Sequence, residues 1–115
     1  MHEISLVRNI FQTLEEEFPK EIEKVRRIYL TVGLLSNVQP ILMQSAFEAV
    51  REDLPFYSKT SLYVKVLPIL IHCDACGLTS EVQNYKFICS CGQPSKNIIQ
   101  GEELLISKVE FSDEL

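Results

Sequence analysis

The chain has 115 residues, 46% of them hydrophobic, and carries 11 Lys and Arg against 16 Asp and Glu, for a formal net charge of −5 and a pI near 5.0. That length suits one domain with a modest core and a small attached lobe. The acidic balance argues against nucleic-acid binding, which draws most of its affinity from a basic footprint; no apolar run approaches the ~20 residues of a membrane span, and the N-terminus lacks the basic and apolar regions of a secretory signal.

Ile4, Val7, Phe11, Leu14 and Phe18 are spaced 3, 4, 3 and 4, one apolar stripe of a helix that starts almost at Met1 and that Pro19 ends. Glu15, Glu16 and Glu17 read as its solvated end. From Val25 the period changes. Ile28, Leu30, Val32 and Leu34 alternate with Arg27, Tyr29, Thr31 and Gly33 as in a half-buried strand, with Arg26 and Arg27 at a solvated edge. Ser36-Asn37 punctuates a turn, Pro40 suits a first helical position, and residues 41–51, with Leu42, Ala46, Phe47 and Val50, predict a second amphipathic helix. Residues 61–71 are β-branched and aliphatic, with Pro68 bending or fraying the strand. Residues 104–111 form a last strand, and Val82, Tyr85, Phe87 and Ile88 suggest a small hairpin before it. The order helix, strand, helix, strand, insert, strand describes an α+β domain with an outgrowth between two strands of one sheet.

That outgrowth holds all 4 cysteines, as Cys73-Asp-Ala-Cys76 and Cys89-Ser-Cys91. Four thiolates on two tight turns surround a Zn²⁺ ion tetrahedrally, and each turn has a glycine, Gly77 or Gly92, directly after its second cysteine. The second turn is one residue shorter than a standard knuckle. Two disulfides in a secreted mini-protein are the competing reading, disfavoured because the cysteines staple nothing else. His72, beside Cys73, is either a strand-end residue or a replacement for a badly placed thiolate. Reduced thiols place the protein in the cytoplasm.

Met1-His2-Glu3 offers a second metal site. A free terminal amine next to a histidine chelates through the Met1 amine, the His2 amide and the His2 imidazole, with the Glu3 amide or carboxylate in a fourth position. Nitrogen donors in one plane suit Ni²⁺ or Cu²⁺. Protons compete for the amine and the imidazole, which gives a ready means of release.

Together these residues resemble a family. Met1-His2-Glu3 at a helix start, Val32-Gly33 and Leu35-Ser36 after a strand, Pro40 opening a helix with Ala46-Phe47-Glu48, the two cysteine pairs, and Gly101-Glu102-Glu103-Leu104 with Val109-Glu110 are similar to the HypA/HybF nickel-insertion proteins of hydrogenase maturation. The resemblance covers essentially the whole chain. It implies a nickel metallochaperone that carries Ni²⁺ as cargo at Met1, His2 and Glu3, with a structural Zn²⁺ at Cys73, Cys76, Cys89 and Cys91. It implies two helices packed on a three-stranded sheet, with residues 1–72 and 101–115 as the nickel-binding α+β domain and 73–100 as the zinc-binding, zinc-ribbon-like lobe. The implied partners are a HypB-type GTPase, the large subunit of a [NiFe]-hydrogenase and, in some bacteria, urease and its accessory proteins; monomers and homodimers both occur in the family. Two departures stand out. The family's second pair usually reads Cys-Pro-x-Cys, and the acidic residues common after the first strand are here Leu34 and Gln39, so no accessory nickel ligand is carried over from that stretch.

Four thiolates close the zinc shell and leave no position for a substrate, so no enzyme is expected. The alternative from another class is a zinc-ribbon interaction module that binds a protein partner and no nickel.

Overall fold

The computed structural model describes residues 2–112, apart from the side chain of His2. Its elements are α1 (His2–Glu17), β1 (Val25–Gly33), α2 (Pro40–Glu52), β2 (Ser61–Leu67), β3 (Leu70–His72), β4 (Thr79–Glu81), β5 (Ile98–Gln100) and β6 (Leu104–Phe111). The molecule is elongated, 56 × 28 × 19 Å.

The first sheet has strand order β2-β1-β6, with β2 parallel and β6 antiparallel to β1. Alternation along β1 sorts its side chains: Ile28, Leu30 and Val32 are buried, while Arg27, Tyr29 and Thr31 take the other face. Both helices cover the buried face. Val7, Phe11 and Leu14 of α1 and Met43, Ala46, Phe47 and Val50 of α2 join one cluster with β1 and Leu62 of β2. Phe11 sits between Tyr57, stacked at 4.0 Å, and Phe47, tilted at 5.4 Å between ring centroids. Burial and the charge of Glu15, whose carboxylate accepts the Tyr57 hydroxyl at 3.4 Å, raise the Tyr57 pKa well above its ordinary value.

On the open face the rings of Tyr29 and Tyr63 stack at 5.1 Å. The Tyr29 hydroxyl donates to Glu110 at 2.7 Å, and Arg27 and Lys108 pair with the same carboxylate at 3.2 and 3.4 Å. The Tyr29 hydrogen bond, aided by those cations, holds Glu110 below the usual carboxylate range.

Around the first sheet, three details differ from the sequence pattern. The first strand stops at Gly33, and Leu34 opens a short 3-10 turn, Leu34–Ser36, with its side chain exposed. The turn closes at Asn37 in the left-handed region, φ 66°, so the punctuation at Ser36-Asn37 is as expected. In α2 the buried stripe runs through Met43, while Leu42 is exposed. Residues 61–71 divide at Pro68 into strands of two different sheets, because proline cannot donate to a ladder and the chain turns away there.

The second sheet, order β4-β3-β5, is antiparallel throughout and has its own small core of Ile69, Ile71 and Val82, with Leu35, Phe87 and Ile98 packed against it. In place of a hairpin over 82–88 there is a single bridge, Gln83 to Lys86, around a tight turn with Asn84 and Tyr85 at φ 54° and 59°. Val82 and Phe87 turn inward there; Tyr85 and Ile88 are exposed.

The two sheets meet where β1 ends. The Gly33 amide donates to the Glu103 carbonyl and the Leu35 amide to the Gly101 carbonyl, both at 2.7 Å. A Cβ on Gly33 would lie 2.0 Å from the Gly101 carbonyl. Gly33 has ordinary extended torsions, φ −82° and ψ 151°, so its lack of a side chain serves close approach, not backbone freedom. The N-terminus of α1 lies at this same end: Leu6 shares a groove with Leu104 and Leu105 at the start of β6, while Phe18 meets Phe111 edge-on at the far end, 5.1 Å away.

Candidate metal centre

The four cysteines come from the two turns that flank β4. In the first, the Cys73 amide donates to the Leu78 carbonyl and the Gly77 amide to the Cys73 carbonyl, at 2.9 and 2.8 Å. In the second, the Cys89 amide donates to the Gln93 carbonyl and the Gly92 amide to the Cys89 carbonyl, both at 2.8 Å. The same pair of bonds therefore closes both turns, with one residue fewer in the second. Gly77 and Gly92 hold φ of +76° and +94° with open space around them, so conformational freedom is what selects glycine here.

The four Sγ atoms lie within 4.8 Å of one another. Cys73 and Cys91 are 3.8 Å apart and Cys76 and Cys89 3.4 Å, well beyond the 2.03–2.05 Å of a disulfide bond, and all four thiols are free. A tetrahedral ion with metal–sulfur bonds of about 2.3 Å needs sulfurs about 3.8 Å apart, so the set fits a Zn²⁺-sized, thiophilic ion with little movement. Cys73 and Cys89 are buried; Cys76 and Cys91 form the exposed side. His72 stays out of the cluster. It is half-buried in β3, its amide bonded to the Asn97 carbonyl and its own carbonyl to the Ser95 hydroxyl.

The Cys91 amide and the Ser80 hydroxyl point at Cys89, at 3.5 and 3.6 Å, and pull its pKa down to about 6. The Leu78 amide works to lower Cys76, but hydrogen bonds to the Cys89, Cys91 and Cys73 sulfurs, with burial, outweigh it and push Cys76 up to about 12. The two sulfurs are thus pushed in opposite directions, Cys89 toward the thiolate and Cys76 toward the thiol. The signal for Ser80 was not readable in the sequence, since a serine three residues after a knuckle glycine has no spacing rule.

At the other candidate site, Met1 lies outside the described residues and so does the side chain of His2. The backbone of His2 and Glu3 forms the first turn of α1, and Glu3 is 9% exposed. The first amides of a helix have no partner within it, so these two are not committed to the helical ladder. Among the described residues no helix is long and apolar enough to cross a membrane.

An α+β domain with a four-thiol metal lobe is the architecture of a small metal-handling protein. Residues 1–111 match the HypA family, described as hydrogenase/urease nickel incorporation, metallochaperone. A hydrogenase maturation factor HypA from Aquifex aeolicus is 30% identical over 114 residues, covering 96% of this chain and 97% of its own. A Synechocystis protein named guanidine hydrolase-activating protein A is 29% identical, covering 96% and 94%. Two solution structures share the fold: one of a HypA protein at TM-score 0.70 and 27% identity, covering 99% of this chain and 98% of that one, and the nickel metallochaperone HypA from Helicobacter pylori at 0.65 and 25%, covering 97% and 98%. The chain belongs to the HypA family of nickel-incorporation metallochaperones, which are not catalysts.

Proposed function

We propose that this protein binds Ni²⁺ as cargo at its N-terminus, through Met1, His2 and Glu3, and delivers it for [NiFe]-hydrogenase maturation, while Cys73, Cys76, Cys89 and Cys91 hold a structural Zn²⁺. The family match over residues 1–111 carries the reading. The uncommitted first-turn amides of α1 supply further support, because a planar nickel chelate that uses the His2 amide needs one outside the helical ladder. Zinc, when bound, offsets half of the charge of the four thiolates and locks the two turns together. The proposal divides the chain by metal, with residues 1–72 and 101–115 carrying nickel and 73–100 carrying zinc, while β3, which leads into Cys73, pairs within the second sheet.

Partners follow from the same reading: a HypB-type GTPase and the hydrogenase large subunit, in the cytoplasm, where free thiols persist. The Synechocystis relative is named for another client, guanidine hydrolase, and the family description includes urease. The client enzyme is therefore the part of the proposal most open to variation between relatives.

The test is a Ni²⁺ titration of protein that begins at Met1 without an N-terminal tag, followed in the visible spectrum, with His2→Ala beside it and zinc assayed in both. One planar nickel per chain, lost in His2→Ala while zinc stays near one per chain, supports the proposal. Nickel binding that survives His2→Ala overturns the N-terminal site, and no nickel binding at all favours a zinc-ribbon interaction module.

A further inference from the structure

The Cys89 sulfur of the shortened second knuckle receives a side chain from another strand. Within Cys89-Ser-Cys91 only one amide, that of Cys91, reaches the Cys89 sulfur, at 3.5 Å. The Ser80 hydroxyl is the second group there, 3.6 Å from the same sulfur. Ser80 lies at the centre of β4, opposite Ile71 of β3, and Ile71 is fully buried two residues before Cys73. The sheet therefore sets the position of the Ser80 hydroxyl independently of the turn that it supports.

The hydroxyl is also oriented. The Ser90 amide donates to Ser80 Oγ at 3.3 Å, which occupies a lone pair and leaves the hydroxyl proton for an acceptor. Two acceptors are in range, Ser90 Oγ at 3.3 Å and Cys89 Sγ at 3.6 Å. When a cation is bound its cysteine ligands are thiolates, and the Cys89 sulfur is then the acceptor of the stronger, charge-assisted hydrogen bond. The Ser90 amide, the Ser80 hydroxyl and the Cys89 sulfur then form a relay whose links polarise one another.

We infer that Ser80 is a positioning residue for the zinc site: its hydroxyl, held on β4 and bonded by the Ser90 amide, adds a second hydrogen bond to the Cys89 sulfur beside that of the Cys91 amide and fixes Cys89 as a metal ligand. The inference rests on the reading of the four thiols as a zinc site. Partners of this kind, bonded to ligand atoms, typically change metal affinity by about 10–100-fold.

The experiment uses the full chain and two ions. Zn²⁺ affinity is measured by competition with a chromophoric chelator, and Co²⁺ is substituted so that the thiolate-to-cobalt charge-transfer band reports directly on the sulfurs. Ser80→Ala is expected to weaken Zn²⁺ binding by about 10–100-fold and to move the charge-transfer band to lower energy. Ser80→Thr keeps the hydroxyl on a residue suited to a strand and is expected to restore both. Ser80→Ala with affinity within twofold of the parent and an unmoved band overturns the inference. So does equal weakening in Ser80→Ala and Ser80→Thr with the band unchanged, which marks a general role in folding. A parent chain that takes up no tetrahedral Co²⁺ overturns the zinc-site reading and this inference with it.

Discussion

Replacing Gly33 with alanine tests the junction between the two sheets. The added Cβ would lie 2.0 Å from both the carbonyl carbon and the oxygen of Gly101, and 2.6 Å from the Glu102 amide nitrogen. All of these are backbone atoms, so no side chain can swing away, and reaching an ordinary contact requires the two segments to part by more than 1 Å. The bonds from Gly33 to Glu103 and from Leu35 to Gly101, both 2.7 Å, would then stretch beyond hydrogen-bonding range. Two such bonds contribute about 1–3 kcal/mol together. Forcing backbone apart at a packed junction adds about 1–3 kcal/mol, and alanine returns somewhat less than about 1 kcal/mol by restricting the unfolded chain. A net loss of about 2–4 kcal/mol corresponds to a fall in Tm of roughly 8–16 °C for a chain of this size. The assay is thermal unfolding of the zinc-loaded protein followed by circular dichroism, with the Co²⁺ spectrum as a control that should not change, since no ligand moves. A Gly33→Ala protein that melts within about 2 °C of the parent would refute the idea that close approach of Gly33 and Gly101 holds the sheets together.

Tyr57→Phe separates burial from charge. The Tyr57 pKa is raised in the folded state, so its contribution is fully present below the unfolded value of about 10 and is lost as pH climbs above it; the advantage of the parent over Tyr57→Phe should shrink, and not grow, in melting curves taken between about pH 9 and 11. Removal of zinc with a chelator should free the amides of 73–100 to exchange while the helical signal persists, because α1 and α2 share a core that is separate from that of the second sheet. Loss of helix in parallel with zinc would show that the two cores fold as one.

Periodicity made most of the first sheet and both helices readable. The stripe from Ile4 to Phe18 describes α1, and the last strand runs over the expected residues. Where the pattern misleads, the reason is geometric. On a wheel of about 100° per residue, Met43 falls among Ala46, Phe47 and Val50 while Leu42 falls on their flank, so the wheel favours the methionine that is in fact buried. Leu34 continues an alternation that a long-range contact cuts off, the approach of Gly101 to Gly33. The second sheet was invisible because its strands have three residues each, too few for a period to show. The cysteine cluster was legible, since ligand chemistry fixes its spacing; the Ser80 contact was not, since it depends on how two strands line up.

The path of the chain around β1 has a mechanical consequence. It leaves the first sheet at Leu67 on one side of β1 and returns at Leu104 on the other, so the metal-bearing part is hung from two points about two strand spacings, or about 10 Å, apart. Between them the end of β1 makes a third attachment, through the Gly33 and Leu35 amides and the packing of the Leu35 side chain into the second core. A push on the zinc end by a docking protein is therefore borne first by these contacts at the end of β1.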